Sequence, residues 1–355
     1  SCATCAVNDC FRVVKPDKGV LNFGRTAYLV DEFSPEFDDY IQQTRQEKDY
    51  LFIPLDGERF KKANYAWNLN GFAKTKQSLF VTAIRSYKSR KLATQGASRQ
   101  KNLLAMYEKL AESYAKQLTY DCLHLVVQQN LLPFLWRDGH LGGRTFDVLM
   151  TALPMRSLQE RLDFAKSLHP ESTTLGDFRA EEWLVEAEMK ALRHARKIIT
   201  PHTEIASIFP DNAEILNWQI PKTNQKSKIK NQKSIIVFPA STVGRKGVYE
   251  LREAIRGLDV KLVTFGGNIE DENFWQGFEV ERGNATNGWL DYADLVVLPA
   301  FVEHKPKRLI EAVANGIPVI ASKACGVENV EGVEVIEVGD AEDLRVKLKK
   351  FLSKS

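Results

Sequence analysis

What the 355 residues lack narrows the field before any motif is read. No apolar run approaches the roughly 20 residues that a bilayer-crossing helix needs, and the first residues show no basic stretch followed by an apolar one, so neither a transmembrane segment nor a secretory leader is expected. An excess of either charge is missing too: 49 Lys and Arg against 46 Asp and Glu leave +3, far from the footprint of a nucleic-acid binder. There are only five cysteines, an odd count, with Cys122 and Cys325 inside expected core elements, which argues against a disulfide framework. The other three, Cys2, Cys5 and Cys10, read C-x2-C-x4-C and stop short of the four ligands that zinc or an iron–sulfur cluster takes. The chain opens on Ser1 instead of Met, so a fourth ligand would have to come from upstream; reduced thiols in a terminal segment are the preferred reading. P-loop, G-x-G-x-x-G, G-x-S-x-G and H-E-x-x-H patterns are all absent. A cytoplasmic protein is expected, with peripheral contact to a membrane surface left open.

What is present describes a globular α/β chain. Apolar residues make up 44% and aromatic residues 10%, and the length suits two domains of ordinary size. Buried strands are expected at Tyr50–Leu55, Ser78–Ile84, Asp121–Val127 and Phe146–Leu153. Helices are expected over Pro35–Asp49, Ser98–Gln117 and Glu181–Ile198, the last feeding a strand at Lys197–Thr200. Residues 221–234, PKTNQKSKIKNQKS, are polar and basic and read as a linker or exposed loop. Beyond it come strands at Ser234–Phe238, Lys261–Phe265, Phe278–Glu281 and Val333–Val338, with helices at Val248–Arg256 and Ala341–Leu352. This alternation predicts two parallel sheets flanked by helices: residues 1–221, a linker at 222–233, and residues 234–355. Tyr65, Trp67 and Phe72 suit an acceptor-stacking surface or, more commonly, a core.

The stretch around which the chain is organised is Phe301–Ser322, which follows the apolar run DLVVLPA. DLVVLP reads as a strand buried on both faces; Pro306 suits the first turn of a helix, Leu309, Ile310, Val313 and Ala314 recur at helical spacing, and Asn315-Gly316 ends it before the strand IPVIA. Glu303 therefore sits just past the carboxyl end of a parallel strand, where ligands of open α/β sheets bind, close to helix amides that receive anions.

Glu303 and Glu311 bracket seven residues, and this E-x7-E followed by A-x-A-x-G-x-P-V-x-A-S resembles the signature of retaining GT-B glycosyltransferases of the family-four type. The likeness spans roughly Ser234 to Val338. It implies a GT-B fold, two Rossmann-like domains bordering a cleft, and a nucleotide sugar, UDP- or GDP-linked, as donor. It implies further that Glu303 touches the donor sugar and Glu311 the ribose, with Lys305 and Lys307 beside them and Gly266-Gly267 giving close backbone approach. S-T-V-G-R-K-G, Ser241–Gly247, resembles the loop that neutralises the diphosphate: Lys246-Gly247 matches the family's pair, while Ser241 stands near its usual Arg, so Arg245 is the replacement cation. Pro306 stands where the family has Gly. Upstream, the glycine-rich loop after the first strand is not recognisable; Gly142-Gly143-Arg144 are candidate replacements, and His124 is a candidate acceptor-side histidine, though a hydrogen-bonded core histidine is the plainer reading. His140 stands likewise.

No D-x-D occurs, against the metal-dependent GT-A class. The function expected is metal-independent transfer of a sugar, with retention and no required cofactor, to a glycan, lipid-linked or small-molecule acceptor. A non-catalytic GT-B binding module and a nucleotide-sugar epimerase are the alternatives.

Overall fold

The computed structural model describes residues 24–91, 96–176, 179–222, 233–283 and 288–353, the side chains of 89–99 excepted. Cys2, Cys5 and Cys10, and all but the two end residues of the expected linker at 222–233, lie outside the described residues. The chain forms two compact units that interleave in sequence: Ser1–Arg156, Phe178–Thr200 and Phe209–Leu216 make one, and Ser157–Asp177, Pro201–Ile208 and Asn217–Ser355 the other.

The first unit is built on seven strands: β1 (Arg25–Leu29), β2 (Tyr50–Ile53), β3 (Lys74–Gln77), β4 (Cys122–Gln128), β5 (Thr145–Leu149), β6 (Lys197–Thr200) and β7 (Ala213–Ile215). They are all parallel, in the order β3-β2-β1-β4-β5-β6-β7. The second unit repeats the design with β8 (Ile235–Phe238), β9 (Lys261–Phe265), β10 (Val280–Gly283), β11 (Leu295–Leu298), β12 (Val319–Ser322) and β13 (Val333–Ile336), ordered β10-β9-β8-β11-β12-β13. Each order reverses once, between β1 and β4 and between β8 and β11. At such a switch point the connections leave in opposite directions and open a crevice at the carboxyl ends.

IIVF, LVVL and VIAS of β8, β11 and β12 are buried at every position, as a parallel sheet covered on both faces requires. Lys307–Ala314 is the helix expected from Pro306 onward; it buries Leu309, Ile310 and Ala312, and Gly316 supplies the left-handed φ of 69° that lets the chain turn back into β12.

Two of the differences from the expectation concern the first sheet. Ser78–Ile84 is not a strand: KTKQ forms β3, and a helix runs from Leu79 to Lys91. A lysine-bearing edge strand carries no apolar signature, because an edge needs protection from further pairing more than it needs burial. The apolar cluster Leu79-Phe80-Val81 begins the helix instead, the first two residues exposed. β1, which pairs with both β2 and β4, has no predicted counterpart. Its five residues open on Arg25-Thr26, and only Ala27 to Leu29 are buried. Trp67 resolves toward the core, 2% exposed, its indole donating to the Asp31 carbonyl at 3.0 Å. Cys122 and Cys325 are buried free thiols.

A buried acid ties the first unit together. Glu188, 1% exposed, accepts from Gln129 Nε2 at 2.9 Å and from the Met155 amide at 2.5 Å. Burial outweighs those bonds and pushes its carboxyl up to about 7. The folded state thus holds a proton that the unfolded state releases near pH 4.3. Stability from this group is fully present below that pH and is lost as pH rises through about 7, in total on the order of 3 kcal/mol. Urea midpoints of wild type are expected to fall relative to those of Glu188→Gln between pH 5 and 8; a difference constant across that range contradicts the assignment.

Candidate active site at the second switch point

The loops that leave β8 and β11 are tied together by one carbonyl. Arg245 O accepts from the amides of Phe301 at 2.9 Å and Val302 at 3.1 Å. The approach is so close that a Cβ on Gly247, which has φ 76°, would stand 1.9 Å from the Pro299 carbonyl oxygen. Only glycine fits there, for its backbone angle and for the missing side chain. This contact sets the place of the short turn Gly244–Lys246 relative to Glu303.

Lys246 and Glu303 meet as a result. Lys246 Nζ donates to Glu303 Oε2 at 2.8 Å and to the Val302 carbonyl at 2.9 Å, and the Lys305 amide donates to Glu303 Oε1 at 3.0 Å. From below, His202 donates from Nε2 to the Glu303 carbonyl at 2.9 Å. His202 is 1% exposed, and burial lowers its pKa, which keeps the ring neutral. Its face also packs under Gly326, whose φ of 61° and absent Cβ make room for it.

The loop carries a concentrated positive field. Burial first, then the charges of Lys246, Arg245 and Lys305 around it, drive the His304 imidazole down to about 3. Arg245, Lys305 and Lys307 are exposed at the mouth. Arg308, the second residue of the helix, donates to the Pro239 carbonyl at the carboxyl end of β8 and lies over the Phe265 ring at 5.2 Å. Such a cluster favours an anion, and the amides opening Lys307–Ala314 add to it.

The turn is braced from its other side. Glu270, 6% exposed, accepts from the Gly244 amide at 2.5 Å, from Ser172 Oγ at 3.0 and 2.9 Å, from Tyr249 Oη at 3.1 Å and from Thr174 Oγ1. Burial alone would raise its pKa; the donors from Thr174, Ser172, Gly244 and Tyr249 outweigh it and hold the carboxyl below its ordinary value.

The sequence-predicted residues divide into two groups. Glu303, Lys246 and Lys305 are joined by hydrogen bonds, with Arg245 beside Lys246 in the same turn. Glu311 is exposed on the same helix as Lys307, and Gly266 and Gly267 border a cavity of about 540 Å3 at the carboxyl ends of β9 and β10, with Asn268, Trp275 and Arg282 in its wall. The acceptor-side candidates lie elsewhere, at the amino edge of the first sheet. His124, third residue of β4, contacts Thr145 Oγ1 at 2.9 Å and Asp147 Oδ2 at 3.2 Å, and Asp147 also takes a fork from Arg196. The charged partner that His124 lacked in the sequence is thus supplied by β5. Gly142 and Gly143 belong to the turn before β5, and Arg144 donates to the carbonyls of Cys122, His140 and Thr119, bracing the strand starts. The carboxyl edge of that sheet carries a different set: Asp31, fully buried, accepts from Arg85 at 2.5 Å and from Asn130 Nδ2 at 2.7 Å.

His202, Glu270 and Arg308 escaped the sequence reading. The partners of the first two are 101 and 26 residues away, so no local pattern marks them. Arg308 could have been found, three positions before Glu311 in the E-x7-E helix.

A family model described as glycosyl transferases group 1 matches residues 219–355. Among curated relatives, TuaC of Bacillus subtilis (strain 168), described under teichuronic acid biosynthesis, is 35% identical over 104 residues, 28% of this chain and 27% of its own. The lipopolysaccharide glucosyltransferase WaaG of Escherichia coli (strain K12) is 27% identical over 172 residues, 42% of this chain and 46% of its own. The chain thus matches about a quarter to a half of the length of these relatives. Among solved structures, the lipopolysaccharide outer core galactosyltransferase WaaB in its apo form superposes with a TM-score of 0.54 at 13% identity, covering 93% of this chain and 90% of the other. Sucrose-phosphate synthase from Thermosynechococcus elongatus gives 0.54 at 14% over the same shares. HepE of Anabaena, solved in complex with UDP, gives 0.52 at 13%, again over 93% and 90%. The segment that resembles the group 1 glycosyltransferases thus lies in the second unit, and the two Rossmann-like sheets give the chain the GT-B fold.

Proposed function

We propose that the protein transfers a sugar from a nucleotide sugar to an acceptor hydroxyl, seating the donor diphosphate at the β8/β11 switch point. The observation that carries this is the Lys246–Glu303 pair at 2.8 Å, with Arg245, Lys305 and Lys307 exposed around it. Lys246, with Arg245, faces the diphosphate; Glu303 contacts the sugar and Glu311 the ribose; Lys305 and Lys307 add charge at the mouth. The nucleoside lies toward Gly266 and Gly267, where the 540 Å3 cavity opens. UDP is the nucleotide to try first, because HepE has been solved holding it, with GDP second.

In the step itself the bond from the anomeric carbon to the diphosphate oxygen breaks as the acceptor oxygen bonds to that carbon. The acceptor proton passes to the leaving phosphate oxygen, so the new bond forms on the face the diphosphate leaves and configuration is retained. The leaving group gains charge along this path. A preorganised ammonium at Lys246 is therefore worth more in the transition state than in the bound donor, and no metal is required. The acceptor, a glycan, a lipid-linked sugar or a small molecule, is placed at the carboxyl edge of the first sheet near Asp31, Arg85 and Asn130.

UDP at 100 times its dissociation constant should stabilise the protein by about 2.7 kcal/mol in a thermal-shift assay. Glu311→Ala is expected to weaken UDP and UDP-sugar alike by roughly 1.5 to 3 kcal/mol, the scale of charge-assisted hydrogen bonds. Equal calorimetric affinities for variant and wild type would remove the ribose assignment. Lys246→Ala should lower kcat for donor cleavage about a hundredfold with a smaller change in donor affinity. Turnover within a factor of two of wild type counts against the leaving-group role, and donor binding by wild type with no turnover against any acceptor points to a binding module.

A further inference from the structure

The helix Leu79–Lys91 is inside out. It buries Thr82 and Arg85, at 4% and 7% exposure, and turns Leu79, Phe80 and Tyr87 to water at 48%, 79% and 70%. Arg85 is drawn inward by Asp31, which fixes the rotation of the helix and sends the opposite face out. Phe80, Ala83 and Tyr87 recur at helical spacing, so they share that face, with Leu79 at its border. Single exposed apolar residues are unremarkable; an aromatic stripe on one helix face marks a contact surface.

The surroundings say what covers it. From Arg59 to Tyr107 the sequence holds eleven Lys and Arg and not one Asp or Glu, in a protein whose overall charge is only +3. The loop that follows β2 carries exposed Arg59, Phe60, Lys61 and Lys62, and it is fastened to the start of this helix by Thr82 Oγ1 donating to the Pro54 carbonyl at 2.9 Å and by the Asp56 amide donating to Gln77 Oε1 at 3.1 Å. Loop and helix therefore leave the carboxyl ends of the adjacent, paired strands β2 and β3 together. Exposed aromatics beside Arg59, Lys61 and Lys62, with Asp56 and Glu58 confined to the start of the loop, match the chemistry of an anionic bilayer surface, where rings enter the acyl boundary while lysines meet headgroup phosphates. A soluble polyanion would satisfy the lysines and leave Phe80 and Leu79 in water.

We propose that this face of the first unit, Leu79, Phe80 and Tyr87 with Arg59, Lys61 and Lys62, docks the protein on an anionic lipid surface. The docking presents the carboxyl edge of the first sheet to the membrane and selects a lipid-linked acceptor. The acceptor class rests on the glycosyl-transfer reading above; the docking itself does not.

The test is co-sedimentation of the full chain with phosphatidylcholine vesicles, with and without phosphatidylglycerol. Wild type is expected to pellet with the anionic vesicles and to stay in solution with phosphatidylcholine alone. Lys61→Gln/Lys62→Gln should lower the partition coefficient about 30-fold, roughly fivefold for each lysine. Phe80→Ser/Tyr87→Ser should lower it tenfold or more, and both pairs should keep the wild-type thermal midpoint and the UDP-induced shift. Wild type that fails to pellet, or a Phe80/Tyr87 variant that partitions as wild type does while the lysine variant loses binding, overturns the proposal; the latter outcome marks a polyanion site. Vesicle binding without any UDP shift in wild type would support the docking surface and strike the glycosyl-transfer reading alone.

Discussion

The second unit depends on one close contact, the approach of the turn Gly244–Lys246 to the chain leaving β11. Two amides share the Arg245 carbonyl, and Gly247 lies against Pro299 with no room for a side chain. The order of strands brings the loops after β8 and β11 to the same crevice, but that alone would leave them free to move. The shared carbonyl and the missing Cβ fix the distance between them. Ser322 Oγ, donating to the Ala300 carbonyl at 2.5 Å, and His202 under Glu303 hold the same segment from the far side. Lys246 and Glu303 then have no need to search for each other. Their geometry is paid in advance by the backbone, which is what preorganisation means for a site that stabilises charge.

The same arrangement explains why the polar groups divide as they do. Cations collect where β8 and β11 end, and the carboxylates there are already engaged: Glu303 by Lys246 and the Lys305 amide, Glu270 by hydroxyls and the Gly244 amide. A neutral His304 at the centre adds no charge of its own. Cys325, whose thiol donates to the Leu298 carbonyl, is kept inert, pushed up to about 12 by burial. What is left facing outward is the positive field of Arg245, Lys305 and Lys307. A cavity of about 860 Å3, lined among others by His169, Tyr249 and Glu250, is the larger hollow, yet it lies along the helix Val248–Ala254 and its wall carries several carboxylates. An anionic diphosphate has less to gain there.

Much of the second unit was legible in the sequence because its central strands β8, β11 and β12 are buried on both faces. Such strands read as short apolar runs, and the helix Lys307–Ala314 is closed by Gly316 at the required turn. Lys261–Phe265 and Ala341–Leu352 fall where the pattern puts them. The first unit was less legible for physical reasons. β3 is an edge strand made of KTKQ, and the adjoining helix shows its apolar residues to solvent, so burial and hydrophobicity part company at Leu79 and Phe80. The pairing of His124 with Asp147 and the bracing of Gly244 by Glu270 arise from residues distant in sequence, and only the fold brings them together. Arg144 looked like a ligand-facing residue beside two glycines, whereas three backbone carbonyls account for its guanidinium.

A crystal structure of the protein grown with UDP tests the central claim most directly. The account predicts diphosphate oxygens within hydrogen-bonding distance, about 3 Å, of Lys246 Nζ, with the ribose hydroxyls on the Glu311 carboxylate and the Lys246–Glu303 contact opened or shared. UDP bound along the helix Val248–Ala254 between His169 and Glu250, with Lys246 still closed on Glu303 and no phosphate near it, would contradict it.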